Sequence, residues 1–140
     1  MTTEQNSEKS RVVIDTYAWI EYFRGSEEGK RAAGIIDSDK ILLTPAIAIA
    51  ELSDKYRRSG LSDTWEKERL PFIEIKSEIV PIDQSIADLA GKIKLEKRKQ
   101  FPDFGLGDAL IMATAKEFSA QLLSGDKHLK KDENAIDITK

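Results

Sequence analysis

Apolar positions along the chain alternate between two periods. Arg11-Val12-Val13-Ile14 is a short β-branched run that stops at Asp15, a strand signal. From Thr16 to Arg24 the apolar residues Tyr17, Trp19, Ile20 and Phe23 recur on a helical period, and Gly25 closes the helix. Ser26 caps a second helix that runs through Ala32, Ala33, Ile35 and Ile36, with Glu27 and Glu28 in its first turn. Ile41-Leu42-Leu43 predicts the second strand. Thr44 as N-cap and Pro45 at the first helical position predict a third helix to about Arg58, ended by Gly60. Ser62-Asp63 opens a fourth helix that Pro71 is expected to limit. Glu78 to Ile82 reads as a third strand, and Asp83 caps a long helix from Gln84 to about Lys99. A loop, Gln100 to Leu106, carries Pro102 and Gly105. The almost wholly apolar Asp108–Phe118 segment predicts a helix buried between layers. Gln121-Leu122-Leu123 is the fourth strand and Ala135–Ile138 a last one.

Strands alternating with helices predict an α/β fold with a central parallel sheet and helices on both faces. The strands are short and continuously apolar, as parallel strands buried on both faces should be. The organisation expected is a frayed tail over residues 1–10 and a single domain over 11–140, since a chain of 140 residues is about one domain long.

Composition narrows the chemistry. There is no cysteine and one histidine, His128. Thiolate metal sites, a cysteine nucleophile and multi-histidine zinc sites are thereby excluded, leaving carboxylate, hydroxyl and ammonium groups. The formal net charge is −3, which lowers the odds of a nucleic-acid partner without removing them. No apolar stretch reaches membrane-spanning length and residues 1–10 lack a signal-peptide core, so a cytoplasmic protein with no membrane partner is expected.

The acids fall where a ligand site belongs. Open α/β sheets bind ligands beyond the carboxyl ends of their strands. Asp15 ends the first strand, Asp126 follows the fourth, Glu51 lies two helical turns past the second, and Asp108 opens the buried helix. Each has a bland reading: Asp15 as a helix cap, Glu51 as an i,i+4 partner of Lys55, Asp108 as a dipole complement, and Asp126 as an ordinary turn residue. Against the second, the run Ala46–Ala50 before Glu51 is apolar. Two ionised carboxylates about 4 Å apart repel by about 4 kcal/mol at an effective dielectric of 20. A hard divalent cation removes that cost, and all-oxygen ligands select Mg²⁺ or Mn²⁺ over zinc. Such a site activates water toward a phosphodiester and needs neither histidine nor cysteine.

The segments Val13-Ile14-Asp15-Thr16, Pro45–Leu52, Gly107–Ala115 and Leu122–Leu129 resemble the PIN-domain ribonucleases, most of all the VapC-type toxins of bacterial and archaeal toxin–antitoxin pairs. The resemblance covers roughly residues 11–130, and it is the four segments in order that carry it. It implies a three-layer α/β/α fold and Mg²⁺- or Mn²⁺-dependent endonucleolytic cleavage of RNA. It implies Asp15, Glu51, Asp108 and Asp126 as the acidic quartet: Asp15 and Asp108 as main metal ligands, Glu51 ligating or holding a water, Asp126 completing a second, weaker site. Thr16 and Ser124 would support through their hydroxyls. A homodimer and a small antitoxin partner that blocks the site are also implied. The chain departs from the pattern at Tyr17, where a small residue is common, and at Ser124, where threonine is commoner.

Other residues carry weaker signals. Lys92, Lys94, Lys97, Arg98 and Lys99 form a basic run that reads first as a solvated helix face and second as an RNA phosphate contact. Arg57-Arg58 is similar and weaker. Asp103 is an extra acid, a loop residue or part of the site's rim. His128 reads as a surface or packing residue rather than one that binds RNA or orients Asp126. Trp19, Tyr22 and Phe23 belong to the core or a dimer interface, and Trp65 sits on a mobile-looking helical arm. Two alternatives compete with the nuclease. One is a catalytically silent PIN-like module that binds RNA or protein. The other is a phosphatase of the haloacid-dehalogenase type, which wants an acid at position 17, where this chain has Tyr17.

Overall fold

A computed structural model describes residues 10–140; most of the expected tail, residues 1–9, lies outside the described residues. Five strands, β1 (Arg11–Ile14), β2 (Ile41–Pro45), β3 (Glu78–Val80), β4 (Gln121–Ser124) and β5 (Ala135–Asp137), form one sheet in the order β3-β2-β1-β4-β5. Every pairing is parallel. The chain leaves the central β1 toward one edge and then returns across it to build the other. The order therefore reverses between β1 and β4, the kind of switch point at which α/β sheets open a binding crevice.

Alternate strand residues feed two cores. Val13, Leu43, Val80 and Leu122 pack with α6 (Gln84–Lys97) and α7 (Leu106–Glu117). Val12, Ile14, Leu42 and Leu123 pack on the opposite face with α1 (Thr16–Arg24), α2 (Glu27–Ile36), α3 (Ala46–Arg58) and the helical arm that follows it. This is the three-layer α/β/α arrangement expected. Burial on both faces is why the strands read as continuous apolar runs. In α7, Ala109 and Ile111 to Ala115 are buried, as its composition predicted. Among the described residues no helix is long and apolar enough to cross a membrane.

The structure corrects several local expectations. Thr44 does not cap α3. It is fully buried in β2, paired with Ile79 of β3, and α3 starts at Ala46 with no side-chain cap. Its hydroxyl is claimed by a buried chain of hydrogen bonds. Trp19 Nε1 donates to Thr44 Oγ1 at 3.1 Å, Thr44 Oγ1 lies 2.7 Å from Ser77 Oγ, and Ser77 donates to the Ile73 carbonyl at 2.9 Å. Pro71 does not end the fourth helix. That helix, α4 (Ser62–Thr64), widens into a π-helical segment, Trp65–Arg69, and continues as α5 (Leu70–Lys76). The wide turn restarts the helix with Pro71 in its first turn, where a missing N–H is harmless. Trp65 is 1% exposed and stacks on Tyr56, so the arm is anchored in the core. Trp19 is buried too, while Tyr22 and Phe23 are half-buried beside Phe72. Smaller shifts are that β3 ends at Val80, α6 ends at Lys97, and α7 begins at Leu106, two residues before Asp108.

Gly29 shows a constraint that periodicity does not carry. A Cβ there would lie 1.9 Å from the Glu21 carbonyl oxygen, so glycine is what lets α2 cross α1 closely. Gly34, exposed in the middle of the same helix, has nothing within 4 Å. Gly29→Ala is therefore expected to destabilise the fold by about 2–3 kcal/mol through overpacking. Gly34→Ala should stabilise it by up to about 1 kcal/mol through helix propensity. Urea denaturation of the two variants checks both signs.

Candidate active site

The carboxyl ends of β1, β2 and β4 share one edge of the sheet, and the four acids gather above it. Asp15, Thr16, Glu51, Asp108 and Asp126 line one open cleft of about 370 Å³. α1 contributes Tyr17 and Ile20 to its walls, α3 contributes Asp54, Lys55 and Arg58, and α7 contributes Ile111.

Asp15 is the buried member, 1% exposed at the end of the central strand. Both oxygens are tied down. Oδ1 accepts the Ala18 N–H at 2.7 Å and so caps α1. Oδ2 accepts a short hydrogen bond from Ser124 Oγ, across the switch point between β1 and β4. The bland reading of Asp15 as a cap is thus correct and does not compete with the functional one. Ser124 Oγ also accepts the Asp126 N–H at 2.9 Å, so one hydroxyl sets a buried acid and the backbone of another. Asp126 closes a turn by accepting the His128 N–H at 2.8 Å.

Glu51 is exposed rather than set in apolar surroundings, and it does not pair with Lys55. Its Oε1 accepts a hydrogen bond from Thr16 Oγ1 at 2.5 Å. Its Oε2 lies where a Cβ on residue 107 would approach within 3.0 Å. Gly107 therefore leaves the room in which Glu51 meets the first turn of α7. Asp108 stands one residue on, half-buried. Asp103 sits on the loop before α7 and pairs with Lys127 at 3.0 Å and His128 Nε2 at 3.2 Å. His128 packs against Phe101 and Phe104, the packing role expected of it. The basic run lies elsewhere: none of Lys92, Lys94, Lys97, Arg98 and Lys99 lines the cleft. Lys92 pairs with Asp88, Lys99 with Glu96, and Arg98 Nε donates to the Phe104 carbonyl.

Tyr17 and Gly125 were absent from the candidate set, although Tyr17 stood out as unusual. A Cβ at 125 would lie 2.3 Å from Tyr17 Cε1, and Tyr17 donates its hydroxyl proton to Glu28 at 2.8 Å. The glycine between Ser124 and Asp126 is thus the seat of the Tyr17 ring. Asp54, Lys55 and Arg58 were also missed as cleft residues. The i, i+3, i+4 and i+7 spacing from Glu51 is the signal that could have found them.

The electrostatics follow from this geometry. Burial pushes Asp15 from the usual 3.8 up to about 7; the Ser124 and Ala18 hydrogen bonds oppose the rise, and Asp126 and Asp108 add to it. Burial, then Asp126, raises Asp108 to about 6, with Glu51 adding and His128 opposing. Among the described residues no three acids close into an ion cage. The donor set nevertheless fits a hard divalent cation: oxygen ligands only, one of them buried without a counter-charge.

A raised acid binds more protons folded than unfolded, so its contribution favours the fold below about pH 4 and is lost as pH rises through about 7. In metal-free buffer, Asp15 should lower stability by up to about 4 kcal/mol across that window. Asp15→Asn should flatten the slope, and Ser124→Ala should raise the Asp15 pKa further. Urea denaturation at stepped pH and carboxyl ¹³C titration check these.

The PIN domain sequence model matches residues 12–133. No curated protein matches significantly. Among solved structures, the chain is similar to a toxin–antitoxin complex from Klebsiella pneumoniae (20% identity, 91% of this chain and 97% of that one, TM-score 0.71). It is similar also to VapBC-1 from nontypeable Haemophilus influenzae (20% identity, 93% and 99%, TM-score 0.72). A third is VapC20 of Mycobacterium tuberculosis, a sarcin–ricin loop cleaving toxin (11% identity, 88% and 95%, TM-score 0.69). At these identities the structural likenesses speak for the fold, whereas the sequence match spans most of the chain, including the segments in which the four acids lie. The chain belongs to the PIN domain family.

Proposed function

We propose that this chain is a divalent-metal-dependent endoribonuclease and the toxin of a VapC-type toxin–antitoxin pair. The observation that carries the reading is the meeting of four acids from four chain segments in one cleft, with the buried Asp15 at the carboxyl end of the central strand. PIN membership supports the nuclease part. Similarity to a toxin–antitoxin complex, to VapBC-1 and to VapC20 supports the toxin part, and with it a protein antitoxin; a homodimeric assembly is the expectation that goes with that reading.

Asp15, Asp108, Glu51 and Asp126 would hold Mg²⁺ or Mn²⁺, and the ion would supply Lewis acidity toward the phosphodiester and a lowered pKa for the attacking water. The chain's own residues do the positioning. Ser124 and the Ala18 N–H fix the two Asp15 oxygens, and Thr16 fixes Glu51. The raised affinity of Asp15 and Asp108 for protons reflects burial first and the neighbouring carboxylates second, and a cation would offset both.

With Mg²⁺ or Mn²⁺, the purified chain should cut a labelled structured RNA pool, and EDTA should stop it. Asp15→Asn should lose on the order of 100-fold or more with an unchanged circular dichroism spectrum. Cleavage retained by that variant would overturn the assignment. Absence of both cleavage and Mg²⁺ binding by calorimetry would favour the silent binding module instead.

A further inference from the structure

An acidic cleft that handles a polyanion needs a positive group to admit it. Among the described residues, only two cations line this cleft, Lys55 and Arg58, both on α3. Arg58 is committed: its Nε donates to Asp54 at 2.8 Å. Lys55 is exposed, and among the described residues no ion pair reaches it. That is unexpected in a helix. Glu51 stands four residues N-terminal to Lys55, the favourable order for an intrahelical pair. The structure forgoes the pair, because the Thr16 hydroxyl takes Glu51. The remaining basic residues nearby are also occupied: Arg57 binds Glu66 at 2.8 Å and Ser53 at 3.0 Å, and Lys127 pairs with Asp103.

We infer that Lys55, flanked by Arg58, is the phosphate-binding side of the cleft. It would take a backbone phosphate of a single-stranded RNA next to the bond that is cut, so that the strand enters along the last turns of α3. The inference rests on the nuclease reading above. It differs from the RNA-contact reading of the sequence, secondary to a solvated face, which fell on Lys92, Lys97, Arg98 and Lys99, none of which lines the cleft, and more weakly on Arg57-Arg58. The physical case is one of charge. The four acids repel a phosphate, and the cost falls fastest on the side where an uncommitted ammonium stands beside them. A lysine on an exposed helix turn also adds no rigid geometry. It serves as a point charge for a phosphate rather than as a reader of bases.

The test separates binding from cutting. The Asp15→Asn chain, which should bind without cleaving, is titrated against a fluorescein-labelled single-stranded RNA of mixed sequence. Anisotropy is read between about 50 and 200 mM KCl. Adding Lys55→Gln should weaken binding about threefold to tenfold and reduce the slope of log affinity against log salt by about 0.7, one phosphate's worth on a single strand. Lys55→Arg should restore both. Lys97→Gln should change neither. In the cleaving chain, Lys55→Gln should raise KM and leave kcat largely intact, with an unchanged melting temperature. An unchanged salt slope in Lys55→Gln, with the parent binding RNA normally, overturns this inference and leaves the nuclease reading standing. No RNA binding by the parent and no cleavage by the unsubstituted chain overturns both.

Discussion

A carboxylate that is nearly free of solvent at the end of the central strand organises this molecule. Asp15 has to be satisfied there, and the ways in which it is satisfied define the surrounding architecture. One oxygen accepts the Ala18 N–H in the first turn of α1, which fixes the angle at which the chain leaves β1. The other takes the Ser124 hydroxyl, which pins the end of β4 beside β1 at the switch point. Ser124 in turn orients the Asp126 backbone. Truncating this side chain to alanine would therefore disturb a helix cap, a strand junction and a turn together, whereas asparagine keeps an oxygen for the Ala18 N–H. A cleft can form at this edge because the chain diverges in opposite directions from β1 and β4.

Much of this was legible in the order of residues. The strands and most helices were readable because the strands are buried on both faces and those helices on one, which leaves two distinct periods, and α7 was readable from its nearly continuous apolar run. The four acids were readable because a fold rule places ligands at strand ends. What failed was read from short motifs whose chemistry a tertiary contact reassigned. Thr44-Pro45 has the form of a helix start, but Trp19 needed a partner for its buried N–H, and Thr44 was already held in the sheet. Pro71 has the form of a helix stop, but five residues of π-helix absorbed it. Glu51 and Lys55 have the spacing of an ion pair, yet Thr16, 35 residues earlier, took the acid. Gly29, Gly107 and Gly125 were silent for the same reason. Each is set by a residue far away in sequence: Glu21 of the preceding helix, the Glu51 carboxylate, and the Tyr17 ring.

The loop ahead of Asp108 and the turn that carries Asp126 are tied to each other away from the cleft. Asp103, ahead of α7, bridges to Lys127 and His128, which follow Asp126 directly. Two phenylalanines of the same loop close around the imidazole. Arg98 holds the loop's far end through the Phe104 carbonyl. The exposed Asp103–Lys127 pair adds little stability by itself. Its effect is geometric: two segments with no regular structure become one unit. The extra acid and the lone histidine, which in sequence resemble candidates for chemistry, thus serve the position of the acids that face the cleft.

The site is costly for the fold that contains it. Burial of Asp15 and its crowding with Asp126 and Asp108 raise its affinity for protons, so near neutrality the ionised form works against folding. Hydrogen bonds from Ser124 and Ala18 offset part of that cost but do not cancel it. A rearrangement that separated the acids would relieve their mutual repulsion. It is blocked because each acid is held by a different element: β1, α3, the first turn of α7, and the turn after β4. Residual repulsion is then a property of the unliganded cleft, and it is largest where charge must be exchanged with a ligand. Under that condition a cation is favoured by relief of repulsion as well as by direct coordination. A polyanion is favoured only after a cation is in place, or from the side where a basic residue stands free.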